Sequence, residues 1–250
     1  MTSAPAAASK PKAKRATRSR ATTSLCKEII DTCIAMNALG INQGTSGNVS
    51  ARSGDGFLIT PSGIPYADTQ PDQVVEMDLE GGYKGNWLPS SEWRMHMDLF
   101  IARPEAQAIV HTHSTYATAL SCLRVEVPAF HYMIGVTGGT TLRCSDYATF
   151  GTQALSDAMV VALEDRTACL LANHGMICFG PSLPKALWLA GEIEALCKQY
   201  YIACQAGMPV ILGDDEMEGV LARFKTYGKQ PEELGAGDAP AVEAPVRRDA

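Results

Sequence analysis

The segment Ala108-Ile109-Val110-His111-Thr112-His113 constrains this chain more than any other. Its branched apolar residues read as a buried strand. Strand side chains alternate between faces, so Ile109, His111 and His113 share one face. A lone histidine in such a strand is most often a satisfied core residue. Two imidazoles side by side, with a carboxylate nearby, make a ligand set for a metal. Glu92, at the start of the helix expected ahead of this strand, offers that carboxylate, although a glutamate there also suits the helix dipole without further function. His174 lies between the two apolar halves of ACLLANHGMICF, read as a buried strand broken at Asn173-His174-Gly175. Burial is costly for an imidazole unless its nitrogens find partners, and coordination is one such partner. His96 reads as an ordinary surface histidine or one standing behind the ligands.

The polar residues around this strand favour an anion. Ser90 and Ser91 fall where an N-cap belongs, ahead of the helix WRMHMDLFIAR. Its expected buried stripe is Trp93, Met97, Phe100 and Ile101, and Pro104 ends it. A helix start brings free N–H groups and a positive dipole end together. Equally, one serine merely caps the helix. Two further polar turns, Gly44-Thr45-Ser46-Gly47-Asn48 and Thr60-Pro61-Ser62-Gly63, are joined by a hairpin that turns at Gly54-Asp55-Gly56. Such turns usually just connect strands. Lying together, they suit a phosphate, which takes several backbone N–H and hydroxyl donors.

Elsewhere helices and strands alternate. Helices are expected near 23–39 (capped by Ser24, stopped by Gly40), 114–123, 151–163 (capped by Thr152) and from Pro184 to Gly207, and a final amphipathic piece follows over 214–227. Strands are expected over 74–79 and 127–134, the latter with His131 and Tyr132 on opposite faces. A chain of 250 residues with a net charge of −6 suits one soluble domain and favours neither nucleic acid nor an acidic membrane surface. It has no apolar run of about 18 residues, no dinucleotide fingerprint and no phosphate loop of the GxxxxGK[ST] type. Residues 1–22, basic through Lys10, Lys12, Lys14, Arg15, Arg18 and Arg20, and residues 229–250, rich in Ala, Pro, Gly and Glu, read as disordered tails around a domain over 23–228. None of the eight cysteines forms a C-x-x-C pair, and no secretion signal precedes them, which predicts reduced thiols in the cytoplasm.

The order NQGTSGNVS, ITPSGIPY, LPSSEWRMHMDLF, AIVHTHS, VPAFHYMI, YATFGT, NHGMICFG, KALWLA, FKTYG resembles the class II aldolase/adducin family, and within it the bacterial L-fuculose-phosphate aldolases. The resemblance spans roughly residues 24–228 and is carried by the joint order of the motifs. It implies an α/β fold of three layers, α/β/α, around a central mixed sheet. It implies one zinc ion per subunit, or another divalent metal, held by Glu92, His111, His113 and His174. It implies a phosphate site built from Gly47, Asn48, Ser62, Gly63, Ser90 and Ser91. Tyr132 matches the residue that handles the proton on the aldehyde oxygen, and Tyr227 a C-terminal tyrosine that covers the site. Such relatives are C4-type homotetramers with each site at a subunit boundary. Three positions depart from the family pattern: Ser62 stands for a common threonine, Thr112 for a usual asparagine, and Asn173 for a frequent histidine. None removes a ligand.

The activity implied is reversible cleavage of a ketose 1-phosphate, such as L-fuculose 1-phosphate, to dihydroxyacetone phosphate and a small aldehyde such as lactaldehyde, within carbohydrate metabolism. Zinc would supply the charge stabilisation that a lysine Schiff base supplies elsewhere. Glu92 would serve as resting ligand and, displaced by substrate, as the base on carbon. Rival substrates are 5-deoxyribulose 1-phosphate and 5-(methylthio)ribulose 1-phosphate. Rival activities are a pentulose-phosphate 4-epimerase and a methylthioribulose-phosphate dehydratase. A non-catalytic adducin-type interaction domain would be expected to lack the metal ligands, and all four candidates are present.

Overall fold

A computed structural model describes residues 18–228 and Gly235. Expectations for the remaining terminal residues lie outside the described residues. The basic tail does not extend to residue 22. Helix α1 (Arg20–Ala38) begins earlier, and its cap is Ser19, whose hydroxyl accepts from the Thr22 N–H, rather than Ser24. Arg18 is also part of the fold, since its guanidinium donates to the carbonyls of Pro71 and Val74.

The eight strands are β1 (Asn48–Ser53), β2 (Gly56–Ile59), β3 (Val75–Met77), β4 (Tyr83–Lys84), β5 (Ala108–Thr112), β6 (Cys144–Ser145), β7 (Ala168–Leu171) and β8 (Gly175–Gly180). They form one sheet in the order β4-β3-β2-β1-β5-β8-β7-β6. Only β6 and β7 run parallel; the other pairs are antiparallel, so the sheet is mixed. Short connections make this natural: β1 turns into β2 through Gly54, at φ 58°, and β7 into β8 through a three-residue turn.

Alternation along the strands divides the interior into two cores. Val49, Ala51, Ala108 and Val110 join Ile29, Cys33 and Met36 of α1, Ala117 and Leu120 of α3 (Thr115–Ser121), and Ala190, Ile193 and Cys197 of α5 (Leu183–Ala206). On the other face Ile59 and Ile109 join Met95, Leu99 and Phe100 of α2 (Trp93–Ala102) and Leu155 and Met159 of α4 (Gln153–Ala162). Helices therefore cover both faces, and the expected three-layer α/β/α arrangement holds. Helix α6 (Asp214–Phe224) packs on a 3₁₀ turn at Tyr132–Thr137. Among the described residues, no helix is long and apolar enough to cross a membrane.

Three local expectations are corrected. The strand over 127–134 is absent: Val127 makes a single bridge to Leu142, and the chain then coils into the 3₁₀ turn. Pro128 has no N–H for a ladder, which favours that outcome. His131 and Tyr132 accordingly lie ring against ring, with centroids 4.8 Å apart, not on opposite faces. On α2, Ile101 is half exposed and His96 is fully buried in its place. The break at residues 173–175 is a reversal: Asn173 takes φ 53° and sends β8 back beside β7.

Candidate active site

The sheet register assembles the site. Asn48 of β1 sits directly opposite His111 of β5, and His111 opposite Ile177 of β8. Two glycines permit the close approach. A Cβ on Gly47 would lie 2.6 Å from the His111 carbonyl oxygen, and one on Gly175 would lie 2.5 Å from the Thr112 carbonyl oxygen and 3.0 Å from the His113 ring. His174, in the β7–β8 turn, is thereby brought against the two histidines of the HTH segment.

The three imidazoles stand edge to face in a triangle. Their centroids are 4.9 Å apart for His111–His113, 4.9 Å for His111–His174 and 4.8 Å for His113–His174. Glu92 closes the figure. Its Oε2 lies 3.1 Å from His111 Nε2, and its Oε1 lies 3.0 Å from His174 Nε2. The second contact has ion-pair distance without hydrogen-bond alignment, and buried Oε1 has no hydrogen-bond partner. One donor atom from each of the four residues lies within 4.8 Å of the others.

This arrangement fits a divalent cation. Zinc–nitrogen bonds of about 2.0–2.1 Å in tetrahedral geometry place ligand nitrogens about 3.3 Å apart, and His111 Nε2 and His113 Nε2 are 3.1 Å apart. The His111 Nδ1–H donates to the Met176 carbonyl at 2.8 Å, which fixes the ring and leaves Nε2 facing the centre. The charges agree. Burial alone would raise the Glu92 pKa, but His111 and His174 outweigh it and hold the carboxyl well below its usual range. Burial opposes charge on His111, but the Glu92 carboxylate prevails and raises its pKa. Burial, followed by the repulsion of His111 and His174, lowers His113 to about 4, leaving a neutral ring with a free lone pair.

The three polar segments converge beside this cluster. Val49 and Thr60 exchange bonds across β1 and β2, Thr60 O accepts from the Ser90 N–H, and Ser62 N–H donates to Leu88 O. A bridge joins Pro61 to Pro89. Ser62 and Ser91 consequently line one cavity of about 300 Å³, together with Trp93 and Leu88. Gly63 follows Ser62 at φ 70°. Neither serine caps α2 as expected. Glu92 holds the N-cap position, and Ser90 Oγ accepts the Glu92 backbone N–H at 3.3 Å. The backbone closes that turn itself, with Trp93 N–H donating to Ser90 O.

Asn48 has a function that its turn position does not suggest. Its amide donates to Glu92 Oε2 at 2.9 Å, and its Oδ1 faces His96 Nε2 at 2.5 Å. His96 in turn meets Ser50 Oγ through Nδ1 at 2.6 Å. Ser50 is the residue that sequence reasoning missed, and His96 takes the second of its two expected places, behind the ligands. The available signal was a double periodicity: Asn48 and Ser50 alternate onto one strand face, while Glu92 and His96 lie four apart at one helix end.

The two tyrosines lie apart from the cluster. Tyr132 and Tyr227 line a cavity of about 630 Å³ with Asp215, Glu216, Val220 and Phe224. Both are about half exposed, and no hydrogen bond or ring contact joins either to the four ligands.

Comparison with known proteins places the chain in a family. Residues 27–201 match the family described as the class II aldolase and adducin N-terminal domain. The chain is 50% identical over 200 residues to the 5-methylthioribulose-1-phosphate/5-deoxyribulose-1-phosphate aldolase of Rhodospirillum rubrum, covering 80% of this chain and 90% of that protein. It is 49% identical over 210 residues to the L-fuculose phosphate aldolase of Escherichia coli (strain K12), covering 84% and 98%. A solved L-fuculose 1-phosphate aldolase superposes with a TM-score of 0.78 at 40% identity, over 81% of this chain and 96% of that one. With its ligand cluster assembled and most of its length matched, the chain belongs to the class II aldolase and adducin family, as one of its enzymes, an aldolase of the lyase class.

Proposed function

We propose that this enzyme reversibly cleaves a ketose 1-phosphate to dihydroxyacetone phosphate and a small aldehyde, using zinc held by Glu92, His111, His113 and His174. The observation that carries the reading is the juxtaposition of that cluster with the Gly47–Asn48, Ser62–Gly63 and Ser90–Ser91 segments. A bound divalent cation supplies Lewis-acid stabilisation of the negative charge that develops on the ketose carbonyl oxygen. The protein side chains do the rest. The serine hydroxyls and the backbone N–H groups near the start of α2 hold the phosphate, remote from the bond being broken, so that its binding energy goes into orientation. Glu92 moves the proton on carbon. Its low pKa makes it a carboxylate at neutral pH, the form a base needs. Tyr132 handles the proton on the aldehyde oxygen, and Tyr227 covers the site.

Because Tyr132 and Tyr227 lie away from the ligands of their own chain, the reading includes a homotetramer in which one subunit's tyrosines serve a neighbour's metal. A reducing compartment such as the cytoplasm suits eight free thiols. For the substrate, fuculose 1-phosphate is one reading. The Rhodospirillum relative favours a second, 5-deoxyribulose or 5-methylthioribulose 1-phosphate. The test is a coupled assay of zinc-loaded protein with fuculose 1-phosphate and both pentulose phosphates. Release of dihydroxyacetone phosphate from at least one supports the proposal, and release from none refutes it.

A further inference from the structure

Asn48 and Ser50 occupy alternate positions of β1 and project toward α2, where Glu92 and His96 project back. The four side chains form one buried line: Ser50 Oγ to His96 Nδ1 at 2.6 Å, His96 Nε2 to Asn48 Oδ1 at 2.5 Å, and Asn48 Nδ2 to Glu92 Oε2 at 2.9 Å. None is more than 5% exposed. The last member fixes the direction of every bond. A carboxylate only accepts, so Asn48 turns its NH₂ to Glu92 and its Oδ1 to His96. That oxygen also only accepts, so His96 carries its proton on Nε2. Nδ1 is then an acceptor, and the Ser50 hydroxyl donates into it. One tautomer and one amide orientation satisfy all four groups. Burial lowers the His96 pKa to about 3, consistent with a neutral ring.

We propose that Ser50 and His96 are positioning residues for Glu92: acting through Asn48, they hold Oε2 in a fixed hydrogen bond beside His111 and leave Oε1 turned toward His174. The inference rests on the reading of Glu92 as ligand and base. The Ser50 hydroxyl selects the His96 tautomer, the tautomer selects the Asn48 orientation, and the orientation puts a donor against Glu92. Reversing any link presents the Asn48 oxygen to the carboxylate, an acceptor against an acceptor.

The test separates positioning from packing. His96→Leu keeps the bulk and removes the donor. His96→Gln returns an N–H near the Nε2 position. In zinc-loaded protein, His96→Leu is expected to lower kcat about 10²-fold, the scale of a misplaced catalytic group, while KM and zinc stoichiometry stay within about threefold. His96→Gln is expected to recover to within about tenfold of the parent, and Ser50→Ala to lose about threefold to tenfold, in line with one neutral hydrogen bond. A His96→Leu kcat within twofold of the parent overturns the proposal, as do Leu and Gln variants that are equally slow. Should the Leu variant fail to fold, the Gln and Ser50→Ala variants carry the same split between kcat and KM. A second readout needs no turnover: nitrogen-15 correlation spectra of the metal-free protein, with the His96 signals assigned by their loss in His96→Gln. A neutral Nε2–H tautomer at pH 7.5 is expected, and an Nδ1–H tautomer or a charged ring overturns the relay. That result stands even if the parent cleaves no ketose 1-phosphate, the outcome that would remove the functional reading instead.

Discussion

The two halves of the proposed site differ in how they are built. The Glu92–His111–His113–His174 cluster is complete within one chain. Three neighbouring strands, their register and two close-packed glycines set it, and hydrogen bonds to the Met176 carbonyl and from Asn48 orient His111 and Glu92. The Tyr132–Tyr227 pair sits on a 3₁₀ turn and beyond the end of α6, half exposed, beside a cavity with no contact to that cluster. The difference teaches that sheet register builds the metal half within one chain, whereas the proton-handling half, in the proposed reading, is completed across a boundary between subunits.

Breaking the self-contained half has the largest effect. In a His111→Ala/His113→Ala variant, zinc is expected to be lost by elemental analysis and dihydroxyacetone phosphate release to fall below detection; retained zinc would place the metal elsewhere. Glu92→Gln is expected to lower kcat by about 10³-fold with phosphate binding kept, and unchanged turnover would remove Glu92 as the base. Tyr132→Phe is expected to cost about 10²-fold in kcat. Mixed assemblies of Glu92→Gln and Tyr132→Phe subunits sharpen the comparison, because some boundaries then pair an intact Glu92 with an intact Tyr132. Activity well above either parent variant is expected in co-refolded mixtures. Its absence, with mixed oligomers confirmed by native mass spectrometry, would place both residues in one chain's site.

Two smaller effects test the scaffold. Gly175→Ala is expected to destabilise the fold by about 1–3 kcal/mol in urea, through overpacking against Thr112 and His113. In the metal-free protein His96 and His113, held at about 3 and about 4, outnumber His111, whose raised pKa works in the opposite direction. Below the ordinary histidine range, near 6.5, the unfolded chain binds protons that the rings of His96 and His113 refuse. Stability is therefore expected to fall as pH drops from about 6.5 toward 4, and His96→Gln should make that fall shallower. An unchanged slope would argue against a neutral buried His96.

Much of this was readable before any coordinates. His111 and His113 declare a shared face through strand alternation, His174 declares itself as an imidazole inside an apolar run, and Thr152 caps α4 where expected. Most of the misses depended on a partner distant in sequence. The Val127–Ile134 segment has strand-forming residues, but Pro128 and packing against α6 decide it. β6 is two residues long and exists only because Leu170 and Leu171 lie beside it. Ser24 looks like a cap because it precedes an apolar stripe, but α1 extends one turn further, to Ser19. His96 reads equally as a surface residue or as one behind the ligands, because its partners are remote in sequence. Its partners are 46 and 48 positions away.

The central claim is that Glu92, set within the metal-binding cluster, moves a proton on carbon. Deuterium exchange into dihydroxyacetone phosphate tests it without any aldehyde. Zinc-loaded protein in D₂O is predicted to exchange one carbon-bound hydrogen of dihydroxyacetone phosphate, with the exchange abolished in Glu92→Gln and by removal of zinc. Exchange that persists undiminished in Glu92→Gln, or that never occurs in the zinc-loaded parent, would contradict the account.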